Sequence, residues 1–297
     1  MKFALRDDDL NYFFEPEVIE KNYKDIWNIC PVSMSVVPFI KGNWQKNVKE
    51  FEDIGPGIMD SVTLERLIAD DKIYPIDHNR KLVDFVTEKI ADNKIYLTMH
   101  GIHHRNEDPV IPQFKTNYGF LAEFFTTRDL SLPLREAIQY IEDVFGQPIE
   151  TFAFPQEIYS LKGLNAVRSN NLAICTSLPR IRSFGTIKLF GLYEYSKYFI
   201  FSLLNRDEKY PYPICNNRIK IVDRHPLGPG TDLDKLFAEL DNQCYKNGVF
   251  VLTTHSYGFN FKMKRYSYTL GEAVRKFMEY AAKKKNVQFV RLNQVFE

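Results

Sequence analysis

Short apolar runs alternate along the whole chain with stretches whose apolar positions recur at helical spacing. The strand-like runs are 2–5, 32–37, 95–99, 151–154, 172–175, 218–222, 249–252 and 287–292, with Pro38 and Pro155 ending the second and fourth. Helical patterns cover 16–29, 80–90, 134–145, 163–169, 231–245 and 270–284. Pro16 suits a first helical turn. Leu134, Ile138, Ile141, Val144 and Phe145 share one face, and Gly146 and Pro148 close that helix. Residues 41–57 read as irregular, and 101–128 as a long excursion over one mouth of the fold. The Tyr- and Phe-rich stretch 187–204 reads as β structure added to the basic pattern.

Strand runs that are apolar at every position suit a parallel sheet covered on both faces. The pattern therefore predicts an α/β fold, a distorted (β/α)7–8 barrel with long loop insertions. A doubly wound open sheet fits the same alternation, but no GxGxxG follows the first strand and no phosphate-binding P-loop occurs. No repeat, low-complexity segment or Gly/Ser linker divides the chain, so 1–297 is expected to form one domain.

Charge and composition narrow the function. With 39 basic and 38 acidic residues the net charge is +1, which excludes a nucleic-acid partner held by counterion release. No run of ~18 apolar residues supports a transmembrane helix. Only three apolar residues separate Lys2 from Arg6, too few for a secretory signal, and a cytoplasmic location is expected. Cys30, Cys175, Cys215 and Cys244 lie far apart with no CxxC pair, as expected of small apolar residues in a reducing compartment. Aromatic residues make up 14% of the chain, more than a core of this size needs by habit, and they can serve as core or as a sugar-stacking surface.

The candidate chemistry falls at the C-terminal tips of the strand runs: Asp7-Asp8-Asp9, His100, Pro155, Asp223-Arg224-His225 and His255. In a β/α barrel those tips converge on one mouth, where active sites are built. His100 and His104 are four residues apart, a spacing that lets two imidazoles reach one metal. Three consecutive aspartates repel one another and resist burial, and a divalent cation relieves that repulsion. One carboxylate and two imidazoles leave positions open for water and a substrate oxygen, as in hydrolytic zinc sites.

An acidic pair after strand one, His-x-x-x-His after strand three, Phe154-Pro155 after strand four and a Thr-x-His, Thr253-Thr254-His255, before the last helix and strand follow in order. This series resembles the NodB-like polysaccharide deacetylases of carbohydrate esterase family four, and within them the divergent branch whose first motif reads Arg-x-Asp-Asp. The likeness runs from Lys2 to Leu292.

The resemblance implies a metal-dependent hydrolase that removes an N-acetyl group from an amino sugar or glycan precursor, as in surface polysaccharide assembly. The cofactor it implies is a divalent metal, zinc foremost. It assigns Asp8 as catalytic base and Asp9, His100 and His104 as metal ligands. The commoner aromatic-Asp-Asp-Gly register instead makes Asp7 the base and Asp8 the ligand. Strand parity favours the first, because Ala4, Arg6 and Asp8 would face the barrel interior while Phe3 and Leu5 face the helices.

His255 is implied as the acid that protonates the departing amine. Arg6, Pro155, Arg224, His225, Thr253 and Tyr257 are expected to contact substrate, with Tyr118 and Tyr159 as further stacking candidates. His78 and His103 are expected to be structural. The family's third motif carries an Arg before its Pro; Ala153-Phe154-Pro155 has none, so Arg6 or Arg224 would have to supply that charge. Thr253 stands where a Leu usually walls the acyl pocket. Two readings compete: the same centre hydrolysing another amide or an O-ester, and a catalytically silent glycan-binding barrel.

Overall fold

The computed structural model describes residues 1–43, 61–108, 119–178, 184–205, 208–217 and 219–297. Its strands are β1 (Lys2–Leu10), β2 (Val32–Val36), β3 (Phe39–Lys41), β4 (Ile73–Pro75), β5 (Ile95–Met99) and β6 (Thr151–Phe152). They continue with β7 (Ala173–Cys175), β8 (Ile214–Cys215), β9 (Lys220–Val222), β10 (His225–Pro226), β11 (Val249–Thr254) and β12 (Gln288–Phe289). The helices are α1 (Pro16–Tyr23), α2 (Ser61–Ala69), α3 (Arg80–Ala91), α4 (Ser131–Phe145), α5 (Leu161–Ser169), α6 (Phe184–Leu204), α7 (Leu233–Tyr245) and α8 (Leu270–Ala282).

Eight parallel strands follow the order β10-β11-β1-β2-β5-β6-β7-β9; β8 adds antiparallel to β9, and β12 pairs with the start of β1. β9 and β10 stand at opposite ends of this path, yet only Asp223 and Arg224 link them. Two residues span at most ~11 Å. The sheet therefore curls until its ends come near each other, though among the described residues they do not pair, giving the distorted β/α barrel that the alternation predicts.

Strand parity divides the core in two. Ala4 packs inside the barrel with Cys175, Val222, Val249 and Val251, while Phe3 and Leu5 face the helix layer. In that outer layer Phe3 stacks on Phe250 at 5.5 Å and Phe250 on Phe277 of α8 at 5.6 Å. Phe124, Phe152 and Phe154 form a second edge-to-face group. These aromatics are fully buried, so part of the compositional excess is core.

Several expectations need correction. The stretch 187–204 is helical: it lies in α6, broken at Gly191, whose φ of 74° only glycine adopts freely. Apolar residues on every side of this helix erase both the two-residue and the 3.6-residue period, so pattern could not separate strand from helix. The helix expected over 16–29 ends at Tyr23 and resumes as a 3-10 turn at Ile26–Asn28. The last strand is only Gln288–Phe289, followed by a 3-10 segment, Leu292–Phe296. The expected irregular stretch 41–57 and the excursion 101–128 fall partly outside the described residues, as do Tyr118 and Arg218. The antiparallel pair of β3 with β4 had no counterpart in the sequence pattern.

Candidate metal centre and active site

β1 does not stop at Leu5. It runs on to Leu10 and carries all three aspartates inside the strand, with a register shift against β2 between Asp7 and Leu10. Asp9 sits in that irregularity with a φ of 75°. In a regular strand Asp8 and Asp9 would point to opposite faces. The bulge turns the second carboxylate so that both serve the same mouth.

At that mouth, which the C-terminal ends of the strands form, Asp9, His100 and His104 each offer a ligand atom, all within 4.8 Å of one another. Asp9 Oδ1 lies 3.2 Å from His100 Nε2 and 3.0 Å from His104 Nε2. His100 Nδ1 meets the Ala153 carbonyl at 3.0 Å, a contact that places a proton on Nδ1 and turns Nε2 toward Asp9. Two imidazole nitrogens and one carboxylate oxygen, all buried and convergent, fit a divalent cation by donor type and by geometry. Burial works against ionising Asp9, but His104 and His100 outweigh it and hold the carboxyl well below its usual range.

The loop carrying the histidines is locked by a residue that sequence reasoning missed. Buried Glu123 accepts from the N–H groups of Ile102, His103 and His104 at 2.8, 3.0 and 3.1 Å. The signal available was an isolated acid inside the apolar run Phe120-Leu-Ala-Glu-Phe-Phe125, which needs donors if buried. Gly101 makes room for it. Its φ is +82°, and a Cβ there would lie 2.3 Å from Glu123 Oε2 and 2.8 Å from Pro155 Cγ. Gly101→Ala is expected to destabilise the fold by ~2 kcal/mol or more, from the left-handed backbone and the two clashes together, read as the midpoint shift in urea.

Arg6 is fully buried in the barrel and does not reach solvent. Its Nη2 donates to Asp8 Oδ2 at 2.7 Å and to Glu157 Oε1 at 2.8 Å, and its Nη1 to the Cys175 carbonyl at 2.6 Å. Although burial opposes it, this guanidinium, with His100 and His255 nearby, holds the Asp8 carboxyl well below the usual carboxylate range. Asp8 Oδ1 has no hydrogen-bond partner among the described residues. Asp7 points elsewhere: its Oδ1 accepts from the Ser256 N–H at 2.7 Å, and burial pushes its carboxyl up to about 7. The three-ligand cluster thus contains Asp9 and not Asp7.

His255 follows β11 with its side chain 42% exposed, and its Nε2 is 3.6 Å from Asp9 Oδ2. Tyr257 packs its ring 5.4 Å from that of His255. Arg224 joins Glu157 Oε1 through Nε at 3.0 Å and donates from Nη1 to Thr253 Oγ1 at 3.1 Å, which draws both residues to the mouth. Pro155 lies under Gly101.

His225 is a correction. It pairs in register with Leu252, whose side chain faces the helix layer, so the imidazole points outward. There it bonds Glu239 of α7 at 2.9 Å and stacks on Phe250 at 3.8 Å, which leaves no path to a substrate at the mouth. Tyr159 stacks on Phe154 at 4.2 Å. His103 Nδ1 meets the Phe39 carbonyl at 2.9 Å, and His78 is a largely exposed residue of the 3-10 turn Ile76–His78. All four cysteines are free; Cys30 and Cys175 are buried, but Cys215 is exposed. Among the described residues no helix is long and apolar enough to cross a membrane.

No family model matches the sequence, and no curated protein matches it. Solved structures do resemble it. A GH57-type branching enzyme from Pyrococcus horikoshii superposes with a TM-score of 0.50 at 8% identity, over 99% of this chain and 69% of that one. A Mycobacterium smegmatis protein assigned to the polysaccharide deacetylases gives 0.49 at 11% identity, over 99% and 88%. A family 4 acetyl xylan esterase from Clostridium thermocellum, in complex with a cobalt ion, gives 0.44 at 12%, over 100% and 90%. At such identities the likeness is one of fold.

Proposed function

We propose that this chain is a metal-dependent hydrolase that removes an N-acetyl group from an amino sugar or glycan precursor. The observation that carries the reading is one constellation: Asp9, His100 and His104 converging as ligands, with Asp8 beside them and His255 across from Asp9. The motif order along the sequence supports the same assignment.

Asp9, His100 and His104 would hold the cation, zinc being the first choice for two imidazoles and a carboxylate. When bound, it supplies Lewis acidity that brings the pKa of a water toward ~7 and polarises an acyl carbonyl. Asp8, ionised at neutral pH beside Arg6, takes the proton of the attacking water on Oδ1, the oxygen that Arg6 does not occupy. His255, exposed at the mouth, delivers a proton to the departing amine from its imidazolium form, and the proton that Asp8 took from the water restores that form. The carbonyl carbon gains the water oxygen and loses the amine nitrogen, so acetate and a free amino sugar are the products. Arg224, Thr253 and Tyr257 line the approach.

The silent glycan-binding alternative drew on the missing Arg of the third motif and on Thr253 in place of the usual Leu. Arg6, donating to Asp8 from β1, supports the hydrolase against the first of these arguments, and the replacement at Thr253 stays with the glycan-binding reading. Acetate release after cobalt or zinc loading, across free, nucleotide-linked and lipid-linked N-acetyl sugars, is the direct test. Turnover of at least one is expected; release from O-acetyl esters alone, or from none, would overturn the reading.

A further inference from the structure

Glu157 takes no proton in the chemistry above, yet its carboxylate joins more of the mouth than any other described group there. It follows Pro155, and both Gln156 and Glu157 have φ of 56°, a conformation that L residues hold only where their surroundings impose it. Glu157 Oε1 accepts from Arg6 Nη2 at 2.8 Å and forms an ion pair with Arg224, whose Nε lies 3.0 Å away without hydrogen-bond geometry. Glu157 Oε2 receives the Thr176 hydroxyl and the Ser177 N–H, the latter at 2.9 Å. One carboxylate after β6 therefore ties together β1, the tip of β7 and the link from β9 to β10.

The consequence falls on Asp8. An Arg and a carboxylate left to themselves favour a bidentate fork, two parallel N–H···O bonds. Arg6 makes only one such bond to Asp8: Nη2 is shared between Asp8 Oδ2 and Glu157 Oε1, and Nη1 is spent on the Cys175 carbonyl. Asp8 Oδ1 is left with no protein partner among the described residues. We infer that Glu157 is a positioning residue that keeps Arg6 on a single oxygen of Asp8 and so keeps the other open for the reacting water. This rests on the reading of Asp8 as base.

The test uses the metal-loaded full chain and two variants, Glu157→Gln and the milder Thr176→Val, which removes one anchor of the Glu157 carboxylate. With an N-acetyl sugar that the wild type turns over, Glu157→Gln is expected to lower kcat about 100-fold with KM changed less than about threefold, as for a reacting group displaced by ~1 Å. Thr176→Val should lower kcat by a smaller factor in the same sense. Cobalt stoichiometry and the circular dichroism melt should match wild type. Unchanged kcat in both variants would overturn the proposal, and so would a loss of activity that tracks loss of cobalt or of fold.

A second readout does not depend on turnover. In 15N-arginine-labelled protein the Arg6 guanidinium, identified by its absence in Arg6→Lys, is expected to give slowly exchanging Nη protons that broaden in Glu157→Gln. If the wild type deacetylates nothing while this signal behaves as expected, the proposed function fails and the positioning of Arg6 stands. If the signal is unaltered in Glu157→Gln, the positioning itself is wrong.

Discussion

Asp8→Asn is expected to abolish acetate release, by about 10³-fold or more in kcat, while one equivalent of cobalt stays bound. The substitution keeps the shape of the side chain and a partner for Arg6, but an amide cannot accept the proton that a carboxylate accepts. General bases contribute about 10²–10⁴-fold, and the upper half of that range applies here because Asp8 is buried with no other acid on the same oxygen. Asp9, His100 and His104 are untouched by the change, so the cation should remain. The measurement is a pair: kcat on the best N-acetyl substrate and cobalt content on the same preparation. A rate within tenfold of wild type with metal bound would remove Asp8 from the mechanism. The same substitution at Asp7, which bonds the Ser256 backbone instead, should leave cobalt bound and lower kcat far less.

Asp9→Ala carries the second large effect. Removing the only carboxylate of the cluster leaves two imidazoles, which bind divalent ions weakly without a third donor. Zinc affinity is expected to fall at least about 10³-fold in competition with a chromophoric chelator. Ligand linkage gives an independent check. Zinc at a hundred times its dissociation constant should stabilise the wild type by about 2.7 kcal/mol, and the same zinc should barely move the melt of Asp9→Ala. Wild-type protein that takes up less than about half an equivalent of zinc or cobalt would favour the glycan-binding barrel over the hydrolase.

The sequence was informative wherever an element obeys one period or one local rule. Helices with a single apolar face, such as α4 with Leu134, Ala137, Ile141 and Phe145 buried, were legible, and so were β2 and β5, which are buried along their whole length. The tips were legible because polar residues ending an apolar run have few other uses. α6 was not, because apolar residues on all its sides leave nothing periodic to read. His225 misled for a related reason. Next to Arg224 it looked like part of the same mouth, but Arg224 lies in the link before β10 while His225 begins that strand, and only its pairing with Leu252 tells which face the imidazole takes.

The amino-acid sequence by itself determined the alternation of strand and helix and the gathering of Asp8, Asp9, His100 and His255 toward the C-terminal ends of strand runs. It determined these because each depends on neighbours within a few residues along the chain. Tertiary structure alone decided which aspartate joins the ligand cluster, since a bulge in β1 sets the direction of Asp9. It also decided that an arginine two residues before Asp8, and not one beside Pro155, faces that carboxylate. The carboxylates that hold the mouth in shape belong to the same class: Glu123 closes over backbone about 20 residues away, and Glu157 over Arg6, 151 residues away. Contacts at such separations exist only once the barrel has closed, and no local pattern encodes them.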